Sequence, residues 1–178
     1  MSGTKIRLAT VWLDGCSGCH MSVLDLDAAI IPILRKVDIV YGPLVDAQEF
    51  PEEVDVTLVE GAVSTQADAD HIQVIRQNTK TLVSLGDCAV TGNVAAMRNT
   101  IPVSKLLQRI YVEGSDVNKC VPGDGLPQLL KLARPAQDFV KVDYSVPGCP
   151  PQTKVIATLL NTLVEGRKTE NTSKIKFG

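Results

Sequence analysis

Five short runs of β-forming residues, separated by stretches with helical periodicity, constrain this chain more than any other feature. The runs are Ile6–Trp12, Asp38–Gly42, Val54–Glu60, Thr81–Leu85 and Phe139–Val146. Each is rich in β-branched and other apolar residues, as strands buried in a sheet require. Between them, Ser22-Val-Leu-Asp25 has the form of a helix capping box ahead of an apolar stretch that ends near Pro32. Thr65-Gln-Ala-Asp68 is a second such box and opens a segment with Ile72 and Ile75 on one face. A third helix is expected over Asp87–Arg98. The last segment is the most regular: Pro151 suits a first turn, and Val155, Ile156, Leu159, Leu160, Leu163 and Val164 form an apolar stripe at helical spacing. Strands alternating with helices predict a doubly wound α/β fold, a mostly parallel sheet with helices on both faces. The stretch Pro102–Pro135 departs from the pattern, and its Gly and Pro residues around Val121–Pro127 predict an irregular excursion.

At 178 residues and 44% hydrophobic content, residues 1–178 can bury one core and form a single domain, with a tail from about residue 166 expected to be irregular. A net charge of −2 with mixed signs argues against nucleic acid as a partner, because phosphate binding wants a basic excess. The basic spots around Lys168 to Lys176 read as solvated terminal sequence. No segment is apolar for long enough to span a bilayer, since Asp25 and Asp27 interrupt the most hydrophobic one. Met-Ser-Gly-Thr-Lys leads directly into the first strand without the features of an export signal, so a cytoplasmic location is expected.

A reducing compartment keeps thiols free, so the five cysteines call for metal binding, redox chemistry or simple burial rather than disulfides. Their positions on the expected fold are informative. Cys16 and Cys19 follow the first strand, Cys88 follows Thr81–Leu85, and Cys149 follows the strand ending near Val146. In an open parallel sheet the carboxyl ends of the strands form one edge, and ligands bind there. Four thiols far apart in sequence therefore converge. Cys-x-x-Cys lets one tight turn supply two corners of an iron–sulfur cubane, with Gly15 and Gly18 allowing the backbone to bend. Amides near Gly18, Gly86 and Gly148 can donate to the sulfurs. Structural zinc, a dithiol redox pair and burial remain as alternatives; the spacing favours a cluster, because a zinc site usually takes its second pair from another closely spaced unit.

The residues around these cysteines carry a family resemblance. Trp12-Leu-Asp-Gly-Cys16-Ser-Gly-Cys19-His-Met21, Gly86-Asp-Cys88-Ala89 and Val146-Pro-Gly-Cys149-Pro-Pro151 resemble, in order, the proximal-cluster motifs of nickel–iron hydrogenase small subunits. Val59-Glu60-Gly61-Ala62 resembles a further shared block, and the likeness runs from about Ile6 to Leu160. The related quinone-reductase subunit of respiratory complex I typically has adjacent cysteines where Cys16 and Cys19 are separated here. The resemblance implies a flavodoxin-like sheet and one [4Fe–4S] cluster, its iron held by Cys16, Cys19, Cys88 and Cys149. Leu13-Asp-Gly-Cys-Ser-Gly-Cys-His-Met21 most resembles the cytoplasmic, NAD-reducing (bidirectional) group. That implies an electron-transfer subunit, not catalytic alone, working with a large subunit that bears the NiFe centre. It also implies diaphorase subunits with FMN, NAD and further iron–sulfur clusters. A cytoplasmic relative with another acceptor is the alternative within the family, and a flavodoxin-like FMN carrier or a zinc-stabilised module are alternatives outside it.

Departures from the family pattern also carry expectations. Many members have Glu immediately before the first ligand, where this chain has Gly15, and Asp14 does not simply inherit its role. Exported relatives carry further clusters in a second domain, whereas no cysteine follows Cys149 here, so a single cluster is expected. His20 is read either as a hydrogen-bond partner or proton relay beside the cluster, or as an ordinary interface contact. Glu60 is read either as support for the site or as a cap, and Trp12 and Met21 as core or interface packing. Cys120 matches no ligand position and is read as buried or free.

Overall fold

Strand β1 (Ile6–Trp12) pairs in parallel with β2 (Val37–Tyr41) on one side and β3 (Val54–Glu60) on the other. The computed structural model describes residues 5–166, so the expectations for the tail beyond them lie outside the described residues. Beyond β3 lie β5 (Thr79–Leu85) and β7 (Tyr144–Val146), both parallel, giving the order β2-β1-β3-β5-β7. This is the 2-1-3-4-5 order of flavodoxin-like sheets, as expected, and winding reverses at the boundary of β1 and β3. β3 is buried at every position but Asp55, as a central parallel strand should be.

Side-chain alternation along the strands makes two cores. Leu8, Val56, Leu58, Val83 and Leu85 face one way, against Ile33 and the helix α7 (Thr153–Val164), which presents Ile156, Leu159 and Leu160. Val11, Val59 and Leu82 face the other way, against Ile72 and Ile75 of α3 (Gln66–Gln77) and against Ala136 and Val140. The Thr65–Asp68 capping box forms as read: Thr65 Oγ1 accepts from Asp68 N at 3.1 Å, and Asp68 Oδ2 accepts from Thr65 N at 2.9 Å.

Several elements differ from the sequence expectation. Ser22 is no cap. The helix α1 starts earlier (Gly18–Leu24), and Ser22 Oγ, buried, donates instead to Pro151 O at 2.6 Å. The apolar stretch to Leu34 is not one helix but α1, a 3₁₀ turn over Asp27–Ile30 and a short α2 (Ile31–Leu34) with Pro32 in its first turn. The helix expected over Asp87–Arg98 breaks at Gly92 (φ 87°) into α4 (Asp87–Thr91), α5 (Asn93–Ala96) and a 3₁₀ turn. The last strand begins at Tyr144, not Phe139. Phe139 and Val140 close a turn begun at Ala136, and pairing starts only where Asp143 exchanges bonds with Leu82. The excursion contains α6 (Val103–Gln108) and a strand β6 (Leu129–Arg134), antiparallel to β4 (Val63–Thr65). Pro151 precedes α7, and Gln152 is its N-cap residue.

His71 on α3 stands edge-on to Tyr41 and Phe50, at ring separations of 6.1 and 6.3 Å. Burial lowers its pKa from the ordinary 6.5, although Asp68 opposes this. The unfolded imidazole therefore takes up a proton at a pH where the folded one resists it, so its contribution is present above about pH 6.5 and lost as pH falls. The urea midpoint of the apo chain is expected to drop between about pH 7.5 and about pH 5.5. His71→Gln should flatten that drop, as urea titrations followed by circular dichroism would show.

Candidate metal centre

Because β1, β3, β5 and β7 run the same way, the loops that follow them leave one edge of the sheet. Hydrogen bonds then join these loops to each other. After β1, Leu13 N donates to Glu60 O at 2.9 Å, and Asp14 and Ala62 exchange backbone bonds of 3.0 and 2.8 Å. The approach is so close that a Cβ on Gly61 (φ +94°) would lie 2.8 Å from the Leu13 carbonyl carbon. After β5, Gly86 N donates to Val146 O at 2.8 Å and Asp87 N to Gly148 O at 2.9 Å, while Asp87 Oδ1 accepts from Gly148 N at 2.7 Å. The Ser22–Pro151 bond fastens α1 to the loop after β7. Cys16, in the loop just before α1, and Cys19, in its first turn, are thereby fixed relative to Cys88 on α4 and Cys149 beyond β7.

Cys19 and Cys88 register the other thiols. Burial pushes Cys19 up to about 12, and Glu60, Cys88, Cys16 and Cys149 each add to the rise. Cys88 is likewise raised, first by burial and then by Cys149 and Cys16, although amides of Val94 and Ala95 donate to its sulfur and pull the other way. Cys16 Sγ accepts from Gly18 N at 3.4 Å. Four neighbouring thiolates repel, and a bound cation reverses that balance by deprotonating its ligands outright. The site also has a cradle cut for sulfur: a Cβ on Gly86 would stand 2.2 Å from Cys19 Sγ. Among the described residues, no three His, Cys, Asp or Glu side chains gather around a single-ion position. An all-thiol donor set beside a glycine cradle fits an iron–sulfur cluster. Cys120 stands exposed in the stretch between α6 and β6.

The undecided residues now have definite places. Glu60 is 1% exposed, and its Oε2 accepts from His20 N at 2.9 Å and contacts His20 Nδ1 at 2.5 Å. Burial raises its pKa, but the hydrogen bonds from His20 outweigh this and hold the carboxyl below its ordinary range. Glu60 is thus both a cap and a support. Trp12 and Met21 are exposed rather than in the core, and Trp12 Nε1 donates to Gly15 O at 3.1 Å. The sequence reading missed Asp87 and the true partner of Ser22. Asp87 stands directly before Cys88, and that adjacency was the available signal.

Gly86, with φ +85° and ψ 161°, occupies a region essentially closed to other residues. Gly86→Ala is expected to cost about 1–3 kcal/mol from the backbone alone. The clash with Cys19 Sγ adds to this, and urea unfolding of the apo variant would measure the sum.

Comparison with known proteins agrees with this geometry. A family profile described as "NADH ubiquinone oxidoreductase, 20 Kd subunit" matches residues 16–163. One subunit of the F420-non-reducing hydrogenase (vhu) of Methanocaldococcus jannaschii is 37% identical over 172 residues, covering 96% of this chain. The chain spans only 60% of that relative's length. The NAD-reducing hydrogenase HoxS subunit delta of Cupriavidus necator is 36% identical over 179 residues, covering 96% of this chain and 84% of the relative. Among solved structures, a chain of an NAD+-reducing [NiFe]-hydrogenase in the H2-reduced state superposes with a TM-score of 0.90. It shares 35% identity, with 98% of this chain and 100% of that one covered. Over nearly its whole length the chain is thus similar to subunits of nickel–iron hydrogenases, and it belongs to the family of the NADH ubiquinone oxidoreductase 20 Kd subunit.

Proposed function

We propose that residues 1–178 form one electron-transfer domain whose Cys16, Cys19, Cys88 and Cys149 hold a single [4Fe–4S] cluster. The observation that carries this reading is the delivery of these four cysteines to one sheet edge by parallel strands, with Gly86 leaving room for the Cys19 sulfur. When bound, such a cluster supplies one-electron transfer between the redox centres of the partner subunits. The chain's own residues do the rest. Cys19 is buried and excludes water, Val94 and Ala95 offer amides to the Cys88 sulfur, and Asp87 and Ser22 keep the loops in register. The flavin-carrier reading is weaker, because the loop after β1 presents Cys16 and an exposed Asp14 rather than a row of phosphate-binding hydroxyls.

The working complex in this proposal is a cytoplasmic NAD-reducing hydrogenase. A large subunit bears the NiFe centre, and diaphorase subunits bear FMN and further clusters and bind NAD. The high superposition over a whole chain of an NAD+-reducing enzyme supports this acceptor, while the name of the F420-non-reducing relatives rules out one acceptor for them and specifies no other. Among the described residues, no helix is long and apolar enough to cross a membrane. Around α1 and α2, Met21, Leu24, Ile31 and Leu34 are all at least 39% exposed, and such a concentration of apolar surface marks a partner interface.

Serine in place of Cys16, Cys19, Cys88 or Cys149 is expected to lower iron and acid-labile sulfide and to remove the cluster's EPR signal, whereas Cys120→Ser should change neither. An intact cluster in Cys149→Ser would sink the ligand assignment. In the complex, Cys149→Ser should also abolish hydrogen-dependent NAD reduction while sparing the NADH–dye activity of the diaphorase. Expressed without its partners, the chain should bind an apolar fluorescent dye and self-associate on gel filtration; a monomer without dye binding would count against the interface.

A further inference from the structure

We propose that Glu60 is a positioning residue of the metal centre: its carboxylate seats the Cys16–Cys19 loop and fixes a negative charge beside Cys19 that biases a bound cluster toward its oxidised state. This rests on the reading of Cys16, Cys19, Cys88 and Cys149 as cluster ligands.

The need for such a residue comes from α1 itself. It begins after Ser17, which has a left-handed φ of 65° and no side-chain cap bond, and no acidic residue lies in its first turn. The leading amides of a helix must find acceptors elsewhere. Glu60 supplies one from a different strand. Its carboxylate accepts from the amide of His20 at 2.9 Å and contacts the His20 ring Nδ1 at 2.5 Å, and the amide of Cys19 on the same turn helps hold its charge. A side chain that gathers backbone amides in this way acts as an acceptor, and the ionised carboxylate is the strongest acceptor it can offer. His20 Nε2, on the other side of the ring, is buried and has no hydrogen-bond partner.

Glu60 is itself held firmly. It lies opposite Trp12 in the β1–β3 register, and its carbonyl takes the Leu13 amide at 2.9 Å. Space for the carboxylate comes from Gly15, where a Cβ would stand 3.4 Å from Glu60 Oε1 and 3.1 Å from Gly61 Cα. A residue that carried a side chain at position 15 would compete for this volume. Seating alone does not require a charge, since a neutral hydroxyl or amide serves as a cap in most helices. An ionised group 1% exposed is costly, and its field is weakly screened where it lies. Adding an electron to a group held by Cys19 works against that field.

The test uses the complex co-purified with its partner subunits, carrying Glu60→Gln, Glu60→Asp or Glu60→Ala. Iron and sulfide per chain report seating, and the midpoint potential from an EPR-monitored redox titration reports the charge. Glu60→Ala is expected to weaken cluster retention by about 10-fold or more. Glu60→Gln keeps the volume and one acceptor, so it should retain iron while its midpoint moves to a more positive potential; Glu60→Asp should stay nearer the wild-type midpoint. Loss of iron from Glu60→Gln with retention in Glu60→Asp assigns the same role to the charge. Wild-type iron and an unshifted midpoint in the Gln and Ala variants overturn the proposal. A wild-type complex lacking iron and sulfide in this chain would instead overturn the ligand reading beneath it.

Discussion

Parallel strand pairing underlies every other feature of this molecule. A strand that runs parallel to its neighbour must be reached by a crossover, so each β-to-α loop emerges at the same edge. Four such strands, β1, β3, β5 and β7, deliver Cys16 and Cys19, Glu60, Cys88 and Cys149 to that edge from positions up to 133 residues apart (149 − 16). The sheet is buried on both faces, which makes the edge rigid. Short backbone bonds between the loops, such as those of Asp14 with Ala62 and Asp87 with Gly148, then hold the cysteines at that edge.

That grouping of thiols stands in tension with its own electrostatics. Cys19 is 8% exposed and lies near three other thiols and the buried carboxylate of Glu60. Every one of these groups disfavours the thiolate that a metal ligand must become. A bound cation would offset this, and that is the electrostatic support for the proposed cluster. The glycines complete the argument sterically, because Gly86 leaves room for the Cys19 sulfur and Gly61 admits the loop after β1. Cys120, exposed in the excursion before β6, shares none of these features.

Much of this was legible beforehand where the signal is local. β1 and β3 run over the residues their apolar patterns indicate, and the Thr65–Asp68 box caps α3, because both are set by neighbours within a few positions. The break of the Asp87–Arg98 helix at Gly92 is local, but the other readings that differed depend on distant partners. Ser22 has the spacing of a cap with Asp25, yet its hydroxyl goes to a carbonyl 129 residues away. Phe139 and Val140 have strand-like character, yet they turn into the second core, and the strand waits for the Asp143 contact with Leu82. The β4–β6 pair was hidden because β6 is mostly half-buried or exposed and pairs with only three residues.

Residue order alone specifies the alternation of strands and helices, the placement of Cys16, Cys19, Cys88 and Cys149 just past strands, and the motifs that carry the family likeness. These follow from short-range periodicity and from residue types whose chemistry does not depend on fold. What surrounds the thiols is settled by packing across the whole chain. Packing turned Glu60 inward beneath the Cys19 and His20 amides, set Asp87 against Gly148, and left Trp12 and Met21 on the surface. Those outcomes rest on hydrogen bonds and exclusion between segments far apart in the chain, and no local pattern encodes which distant group will fill a given space.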